Sequence, residues 1–206
     1  MQIFSCEQGS AEWFDARKGL PTASEFSTIM AKGRDGGESK TRRKYMLRLA
    51  GEILTGEPQE TYTNANMERG KAMEAEARDL YAFVAAAPIQ LVGFIENGGK
   101  GCSPDSLIGE KGLLEIKTAQ PDVLLDILDR DRVPPEHVAQ LQGNLWVAER
   151  EWIDVFIYWP KLPPFHKRVF RDEPYISSMA SAVEQFNFEL AALVEKIRRY
   201  DRRAAA

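Results

Sequence analysis

The chain has 206 residues, of which 44% are hydrophobic and 28% are charged, and its formal net charge at pH 7 is −4. These proportions are typical of a folded protein with a substantial hydrophobic core. The negative net charge argues against a protein that coats nucleic acid over its whole surface, but it leaves room for a local basic groove. Residues 32–48 and 196–203 are rich in Lys and Arg, although such segments are usually solvated helix faces.

The cysteine content and the hydropathy exclude further classes of protein. Two cysteines, Cys6 and Cys102, are too few for a disulfide framework or, by themselves, for a zinc or iron–sulfur site. The longest apolar run, residues 81–95, contains Pro88 and Gln90, and it is shorter than the ~18 residues that a membrane span needs. The first residues lack a basic-then-apolar secretory pattern. We therefore expect a cytoplasmic protein without membrane contact.

The N-terminal part reads as two short helices. Ser10 is a candidate N-cap for the first of them. Residues 22–25 (Thr-Ala-Ser-Glu) match the capping box and predict a second helix that continues to about residue 31. The N-terminus of that helix is a natural anion site, with Ser24 in its first turn. Arg17 can reach the same place, although a surface ion pair within its own helix explains it equally well.

Two longer helices are predicted next, at about residues 40–55 and 65–84, after a basic loop at residues 33–40. The second helix carries an apolar stripe, and Glu74 sits at the edge of it. A glutamate beside a buried stripe is more often a surface residue than a functional one. The pattern alone is therefore compatible with Glu74 as a surface residue and with Glu74 as a functional residue.

The remainder of the chain alternates between strand and helix patterns. Strands are predicted near residues 89–95, 105–109, 112–118, 152–158 and 165–170, and helices near residues 121–128, 135–149 and 173–200. This order predicts an α/β fold with a central mixed sheet flanked by helices. On the helix near residues 135–149, His137 and Gln140 are three positions apart and therefore share a face.

The segment that carries chemistry is Pro104-Asp105 followed by Glu115-Ile116-Lys117. On a strand, Glu115 and Lys117 point to the same face, where an isolated charge is unfavourable unless it is paired. Asp105 can bring a second carboxylate to this place, and two carboxylates with one lysine suit a magnesium-dependent phosphodiesterase. The pattern P-D-(x)n-E-x-K is typical of restriction-endonuclease-like nucleases. A hairpin with a surface salt bridge gives the same letters.

Four motifs in chain order make the sequence resemble the phage lambda exonuclease family, also called YqaJ-type viral recombinases. Residues 13–24 are similar to the family's W-x-x-x-R-x-G-x-x-T-A-S motif, and residues 70–77 to its G-x-x-x-E-x-x-A helix. Residues 102–117 resemble its nuclease core, and residues 140–146 its Q-x-Q…W helix. The motifs extend over most of the chain, and their shared order makes chance agreement improbable.

The resemblance implies a restriction-endonuclease-like core in a single domain, residues 1–206. That domain would comprise a helical part at about 1–85, a nuclease core at about 86–171 and a C-terminal helix at about 173–200. In the family's site, Asp105 and Glu115 would bind one or two Mg²⁺ ions, or Mn²⁺ as the alternative, together with the backbone carbonyl of Ile116. Lys117 would orient the attacking water. Glu74 would add a carboxylate, directly or through water.

The resemblance also implies contacts to DNA. A pocket for the 5′-terminal phosphate of the digested strand would be formed by Arg17, Ser24, Ser103 and Gln140, of which Gln140 also belongs to the catalytic group. Arg34 would reach the DNA groove ahead of the cut. Met67 would part the terminal base pair, as inserted apolar side chains do in other DNA complexes.

The implied substrate is linear double-stranded DNA with a 5′-phosphorylated end, degraded 5′ to 3′ to leave a 3′ overhang. The resemblance further implies a homotrimeric ring, a single-strand annealing protein as partner, and a phage or prophage gene expressed in a bacterial host. An endonuclease or resolvase on the same fold, or a catalytically silent module that binds DNA ends, are the alternatives. A helicase-linked nuclease with a four-cysteine cluster is excluded by the cysteine count, and a Ser/His hydrolase has little support.

Overall fold

The computed structural model describes residues 1–33, 36–37, 39–59, 65–86 and 88–204, with the side chains of residues 65–72 and 201–204 outside the description. Arg34 lies outside the described residues, and so does the side chain of Met67. The predictions for these two residues therefore stay predictions.

Helices dominate the first part of the chain. It contains strand β1 (Gln2–Phe4), α1 (Ala11–Arg17), a short 3₁₀ helix (Ala23–Glu25), α2 (Phe26–Met30), α3 (Lys40–Thr55) and α4 (Ala65–Ala85). The predicted N-cap of α1 is confirmed, because the Ser10 hydroxyl accepts a hydrogen bond from the backbone N–H of Trp13 at 3.2 Å. Strand β1 was not predicted, since three residues are too short to show an alternating pattern.

The second part contains the sheet and the helices that cover it. Its elements are β2 (Ile89–Gln90), β3 (Phe94–Glu96), β4 (Gly101–Cys102), β5 (Ser106–Ile108), β6 (Gly112–Thr118), α5 (Pro121–Arg130), α6 (Pro135–Val147), β7 (Trp152–Tyr158), β8 (Phe165–Phe170) and α7 (Glu173–Ala204). Among these described residues, no helix is both long and apolar enough to cross a bilayer.

The main sheet has five strands in the order β2-β5-β6-β7-β8. Strands β6 and β7 are parallel, and the other pairs are antiparallel, so the predicted mixed sheet flanked by helices is confirmed. A smaller antiparallel sheet joins β3 to β1 and β4. The parallel pair requires a crossover, and α5 and α6 provide it between β6 and β7.

Alternate residues of β6 enter two different hydrophobic clusters. Leu113 packs in the larger cluster together with buried residues of α6, whereas Leu114 and Ile116 pack against the face of α4 that carries Ala77 and Tyr81. Glu115 has the same parity as Leu113 and therefore lies on the α6 side of the sheet. This alternation decides which helix covers the polar residues of the strand.

Two local predictions were wrong. The capping box does not form, because the Thr22 hydroxyl bonds with the side chains of Arg17 and Ser24 and makes no cap hydrogen bond. The α-helix that follows has five residues. The predicted strand at residues 89–95 is two strands in different sheets, since the N–H of Gly93 donates to the carbonyl of Phe4 at 3.0 Å.

A buried ionic cluster fastens α4 to the sheet. Asp154 on β7 is 0% exposed and accepts two hydrogen bonds from Arg168, at 2.8 and 2.9 Å, and one from the Tyr81 hydroxyl at 2.7 Å. His166 Nε2 lies 3.2 Å from the same carboxylate. Burial acts to raise the pKa of Asp154, but the hydrogen bonds from its partners prevail and lower it below its ordinary value.

We expect Asp154→Asn to reduce the free energy of unfolding by about 1.5–3 kcal/mol, the usual contribution of hydrogen bonds to a charged group. A lowered pKa stabilises the fold above the unfolded carboxyl's pKa of about 3.9, and this stabilisation is lost on acidification. Urea unfolding should therefore separate the two proteins at pH 7, and the difference should shrink as the pH falls through the lowered pKa of Asp154.

The matched control is Asp131→Asn. The Asp131 side chain is 80% exposed, and its partner Lys167 lies 3.0 Å away. Such an exposed pair is worth about 0.2–1 kcal/mol. A loss for Asp154→Asn no larger than for this control would contradict the anchoring role.

Candidate active site

Strands β5 and β6 place Asp105 beside the middle of β6. Their antiparallel register sets Ser106 opposite Leu114, and the backbone N–H of Asp105 donates to the carbonyl of Leu114 at 3.1 Å. One carboxylate oxygen of Asp105 accepts a hydrogen bond from the backbone N–H of Ile116 at 2.5 Å. The carboxylate is therefore held against the backbone between Glu115 and Lys117.

Glu115 is buried, with 2% exposure, and both of its carboxylate oxygens are occupied. Oε1 lies 2.7 Å from Lys117 Nζ and 2.6 Å from Gln140 Nε2, and Oε2 accepts from Asn144 Nδ2 at 2.9 Å. Glu115 and Lys117 do form an ion pair, but it is buried under α6. It is therefore not the surface salt bridge of a hairpin that was the alternative explanation of the motif.

Helix α6 covers this pair with a polar stripe. Gln140 and Asn144 are four residues apart and so share one helix face. The amide of Gln140 bridges the ion pair, since its oxygen accepts from Lys117 Nζ at 3.1 Å while its nitrogen donates to Glu115. His137 lies one turn earlier, and burial followed by the charge of Lys117 lowers its pKa. The amide of Gln140 thus fixes the relative position of the carboxylate and the ammonium.

The electrostatics of the cluster favour a bound cation. Burial raises the pKa of Asp105 well above its ordinary value, and the charges of Glu115 and Glu74 raise it further. Burial alone would lower the pKa of Lys117, but Glu115 and the other carboxylates raise it. Lys117 is therefore an ammonium at neutral pH, and because Arg78 pairs with Glu74, this one ammonium is left to face the carboxyl groups of Asp105 and Glu115. The residues present fit a divalent metal ion, which prefers oxygen ligands.

Glu74 lies near this site without joining it directly. Its carboxylate pairs with Arg78 one turn along α4, and Glu74, Arg78 and Asp105 line a common cleft of about 520 Å³. In the part of the chain that the structure describes, no three His, Cys, Asp or Glu side chains converge as a metal-binding group.

A second polar cluster surrounds Arg17. Its Nη1 donates to the Ser103 hydroxyl at 3.0 Å, and its guanidinium lies 3.9 Å from the ring centroid of Trp13. Trp13 Nε1 donates to the same hydroxyl at 3.0 Å. Burial lowers the pKa of Arg17 to about 10, so it stays charged at neutral pH. Arg17 is thus held by hydroxyl groups and an aromatic ring, not by the surface ion pair considered from the sequence.

Two residues of the predicted phosphate pocket, Ser24 and Gln140, have partners other than Arg17. Ser24 is exposed and reaches Arg17 through Thr22, whose hydroxyl lies 3.3 Å from that of Ser24 and accepts from Arg17 at 3.5 Å. Gln140 bonds with Glu115 and Lys117. The structure therefore brings together Arg17, Ser103 and, through Thr22, Ser24, and it places Gln140 with the carboxylates.

Comparison with known proteins identifies the family. The profile of the YqaJ-like viral recombinase domain matches residues 12–151, well over half of the chain. The chain belongs to the YqaJ-like viral recombinase family. The predicted resemblance to phage lambda exonuclease-type proteins is thereby confirmed. A search among curated protein sequences found no match.

Solved structures support the same relationship. The crystal structure of an alkaline exonuclease, LHK-Exo, from Laribacter hongkongensis has 32% sequence identity and a TM-score of 0.85, covering 95% of this chain and 100% of its own. LHK-Exo in complex with dAMP matches with 31% identity, the same coverage and the same TM-score. A phage-related exonuclease from Haemophilus somnus 129PT, with 14% identity, 86% and 96% coverage and a TM-score of 0.66, shows the likeness of the fold alone.

In this YqaJ-like chain, three side chains near the site were given no role in the sequence analysis. Asn144 binds Glu115, Trp13 binds Ser103, and Arg78 pairs with Glu74. The spacing of Gln140 and Asn144 on one helix face was a usable signal for the first. Trp13 belongs to the N-terminal motif, but its hydrogen bond to Ser103 had no local signal, because the two residues are 90 positions apart in the sequence.

Proposed function

We propose that this YqaJ-like protein is a Mg²⁺-dependent exonuclease that degrades one strand of linear double-stranded DNA from its 5′ end. Membership of a viral recombinase family and the similarity to an alkaline exonuclease support nuclease activity. The single observation that carries the proposal is the convergence of Asp105, Glu115 and Lys117 beneath Gln140.

The chemistry of phosphodiester hydrolysis requires these groups. A bound Mg²⁺, or Mn²⁺, would lower the pKa of the attacking water and stabilise charge on the attacking and leaving oxygens. Asp105 and Glu115 would hold it, and the backbone of β6 fixes both carboxylates. Lys117 is protonated, so it donates a hydrogen bond to the nucleophile and cannot act as its base. The amide oxygen of Gln140 accepts a hydrogen bond from the Lys117 ammonium and holds it in position while the substrate enters.

The cluster around Arg17 supports a preference for 5′-phosphorylated ends. Arg17 has no ion pair among the described residues, and it presents a charged fork to the hydroxyls of Ser103 and Thr22. A guanidinium recognises phosphate through paired hydrogen bonds. The dAMP found in one LHK-Exo complex carries such a phosphate group.

We expect Arg17→Ala to reduce the ratio of digestion rates on 5′-phosphorylated and 5′-hydroxyl duplexes by about 10- to 100-fold, since one charge-assisted contact to phosphate is lost. Single-turnover digestion of the two duplexes measures this ratio directly. Lys18→Ala is the control, because Lys18 is the next residue and pairs with Asp15 at 2.5 Å. An unchanged ratio in Arg17→Ala would remove Arg17 from the proposed pocket.

We further propose that the protein acts in recombination by strand annealing, as a homotrimeric ring with a single-strand annealing protein as its partner. The family's description as viral recombinases supports the role in recombination. A ring would reconcile a net charge of −4 with DNA binding, because only the lining of its channel has to attract phosphates. The setting would be the cytoplasm of a bacterial host that carries the phage or prophage.

The function is tested first by metal dependence. Protein freed of metal by a chelator is mixed with linear duplex DNA, and the release of acid-soluble nucleotides is followed as Mg²⁺ or Mn²⁺ is added. The proposal predicts release only after addition of the metal. Release at the full rate in excess chelator, or none with either metal, would contradict it.

A further inference from the structure

Arg48, on α3, is a half-buried cation whose hydrogen-bonding capacity is largely unused. Its guanidinium lies 4.8 Å from the ring centroid of Tyr45, and its one ion pair among the described residues is a long contact of 3.5 Å with Glu25. Its Nε is buried and has no hydrogen-bond partner in the described part of the chain. A guanidinium offers five N–H donors, and a hydrogen bond to Glu25 uses one nitrogen of Arg48 among the described residues.

Arg48 and Arg17 line the same small pocket, of about 80 Å³, between α1, α3 and the segment Pro58–Gln59. Thr22 lies in the lining of this pocket too. Ser24 is joined to Thr22 by the contact between their hydroxyls. The pocket therefore adjoins the predicted 5′-phosphate site and adds a second guanidinium to it.

Among the described residues, neither of the nearby carboxylates forms a short ion pair with the two arginines. Glu52 lines the pocket, but its oxygens accept hydrogen bonds from the backbone N–H groups of Gly19, at 2.8 Å, and Gln59, at 3.5 Å. Glu25 reaches only Arg48, at 3.5 Å. Burial is the main cause of the lowered pKa of Arg17; the positive charge of Arg48 lowers it further, whereas Tyr45, Cys102 and Glu52 act in the opposite direction. The two cations are thus close enough to repel each other and lack a tightly bound anion.

We propose that Arg48 forms, with Arg17, a two-arginine pocket for a phosphate monoester dianion, which makes Arg48 a specificity residue for phosphorylated DNA ends. This inference rests on the proposed function. A terminal monoester carries close to two charges and an internal diester one, so a pair of guanidiniums favours the terminal group. Free phosphate has the same chemistry, and the test separates the two sources.

The test compares Arg48→Ala and Arg48→Lys with the wild-type protein on 5′-phosphorylated and 5′-hydroxyl duplexes in single-turnover digestion. We expect Arg48→Ala to lower the ratio of the two rates by about 10- to 100-fold, as expected for the loss of a charge-assisted contact. Arg48→Lys should fall between the two proteins, because it keeps the charge but loses the planar fork.

Arg42→Ala is the matched control. Arg42 is also on α3, but Glu189 neutralises it at 2.6 Å, so its removal should leave the ratio unchanged. Melting temperatures of all variants establish that they are folded. In the absence of metal, inorganic phosphate and dAMP should raise the melting temperature of the wild-type protein and raise that of Arg48→Ala much less.

The outcomes distinguish this inference from the proposed function. A ratio that falls in Arg17→Ala but not in Arg48→Ala overturns the role of Arg48 and leaves the exonuclease standing. Equal stabilisation of wild type and Arg48→Ala by phosphate and dAMP overturns the pocket itself. Loss of phosphate binding with an unchanged ratio assigns the pocket to free phosphate and overturns the specificity role. A wild-type protein that digests no linear duplex refutes the proposed function.

Discussion

Asp105→Asn should lower the rate of Mg²⁺-dependent DNA digestion by about 10³-fold or more, since a ligand that supports several kcal/mol of transition-state stabilisation is lost. The amide oxygen of the asparagine can still accept the hydrogen bond from Ile116, so the fold should be retained. Because burial and the charges of Glu115 and Glu74 raise the pKa of Asp105, its removal should leave the metal-free melting temperature unchanged or higher.

The metal dependence of stability provides a second measurement for this variant. Mg²⁺ should raise the melting temperature of the wild-type protein, because a ligand that binds only the folded state stabilises it, and it should raise that of Asp105→Asn far less. Glu110→Gln is the control, since Glu110 is exposed in the turn between β5 and β6. An Asp105→Asn protein with more than a tenth of the wild-type rate would exclude Asp105 from the catalytic site.

Lys117→Ala should reduce the digestion rate by about 10²- to 10³-fold, the usual cost of removing one hydrogen-bond donor that stabilises charge in the transition state. The reason is its ammonium, which lies 2.7 Å from Glu115 and is kept protonated by the surrounding carboxylates. The effect should appear in kcat, because Lys117 acts on the attacking water and not on the affinity for DNA.

A measurement of metal binding distinguishes the role of Lys117 from that of the proposed metal ligands. Calorimetric titration with Mg²⁺ should show binding retained or strengthened in Lys117→Ala, since removal of a cation beside Glu115 favours another cation. Lys111→Ala is the matched control, because Lys111 is exposed just before β6 and pairs with Glu151 at 2.9 Å. A Lys117→Ala protein with an unchanged kcat would show that Lys117 serves only as the structural partner of Glu115.

Much of the fold follows from local patterns. The bounds of β6, β7 and β8 agree with the prediction, because each is a run of apolar or alternating residues between turn signals. The segment at residues 89–95 differs because its pairing is tertiary. Phe4 pairs with Phe94 in one sheet, and Ile89 with Ile108 in the other. No local pattern shows that the chain passes from one sheet to the other between Ile89 and Phe94.

The residues of the site also fall into those that local patterns predict and those whose contacts depend on tertiary packing. Glu115 and Lys117 were predictable because two residues on one strand share a face whatever covers them. Asp105 was predictable from its motif alone. The bonds from Asn144 and Gln140 depended on α6 packing over that face of β6, and the pairing of Glu74 with Arg78 depended on the side-chain conformation in α4. Such contacts arise from tertiary packing and side-chain conformation, which local sequence patterns do not predict.

Strand-resolved digestion tests the central claim most directly. Linear duplex DNA is labelled on one strand at a time, carries a 5′-phosphate on one end only, and is incubated with the protein and Mg²⁺ beside a covalently closed circle. The account predicts loss of the 5′-phosphorylated strand from its 5′ end, an intact complementary strand and an intact circle. Cutting of the circle would contradict it and indicate an endonuclease, and no cutting of either DNA would indicate a module that only binds DNA ends.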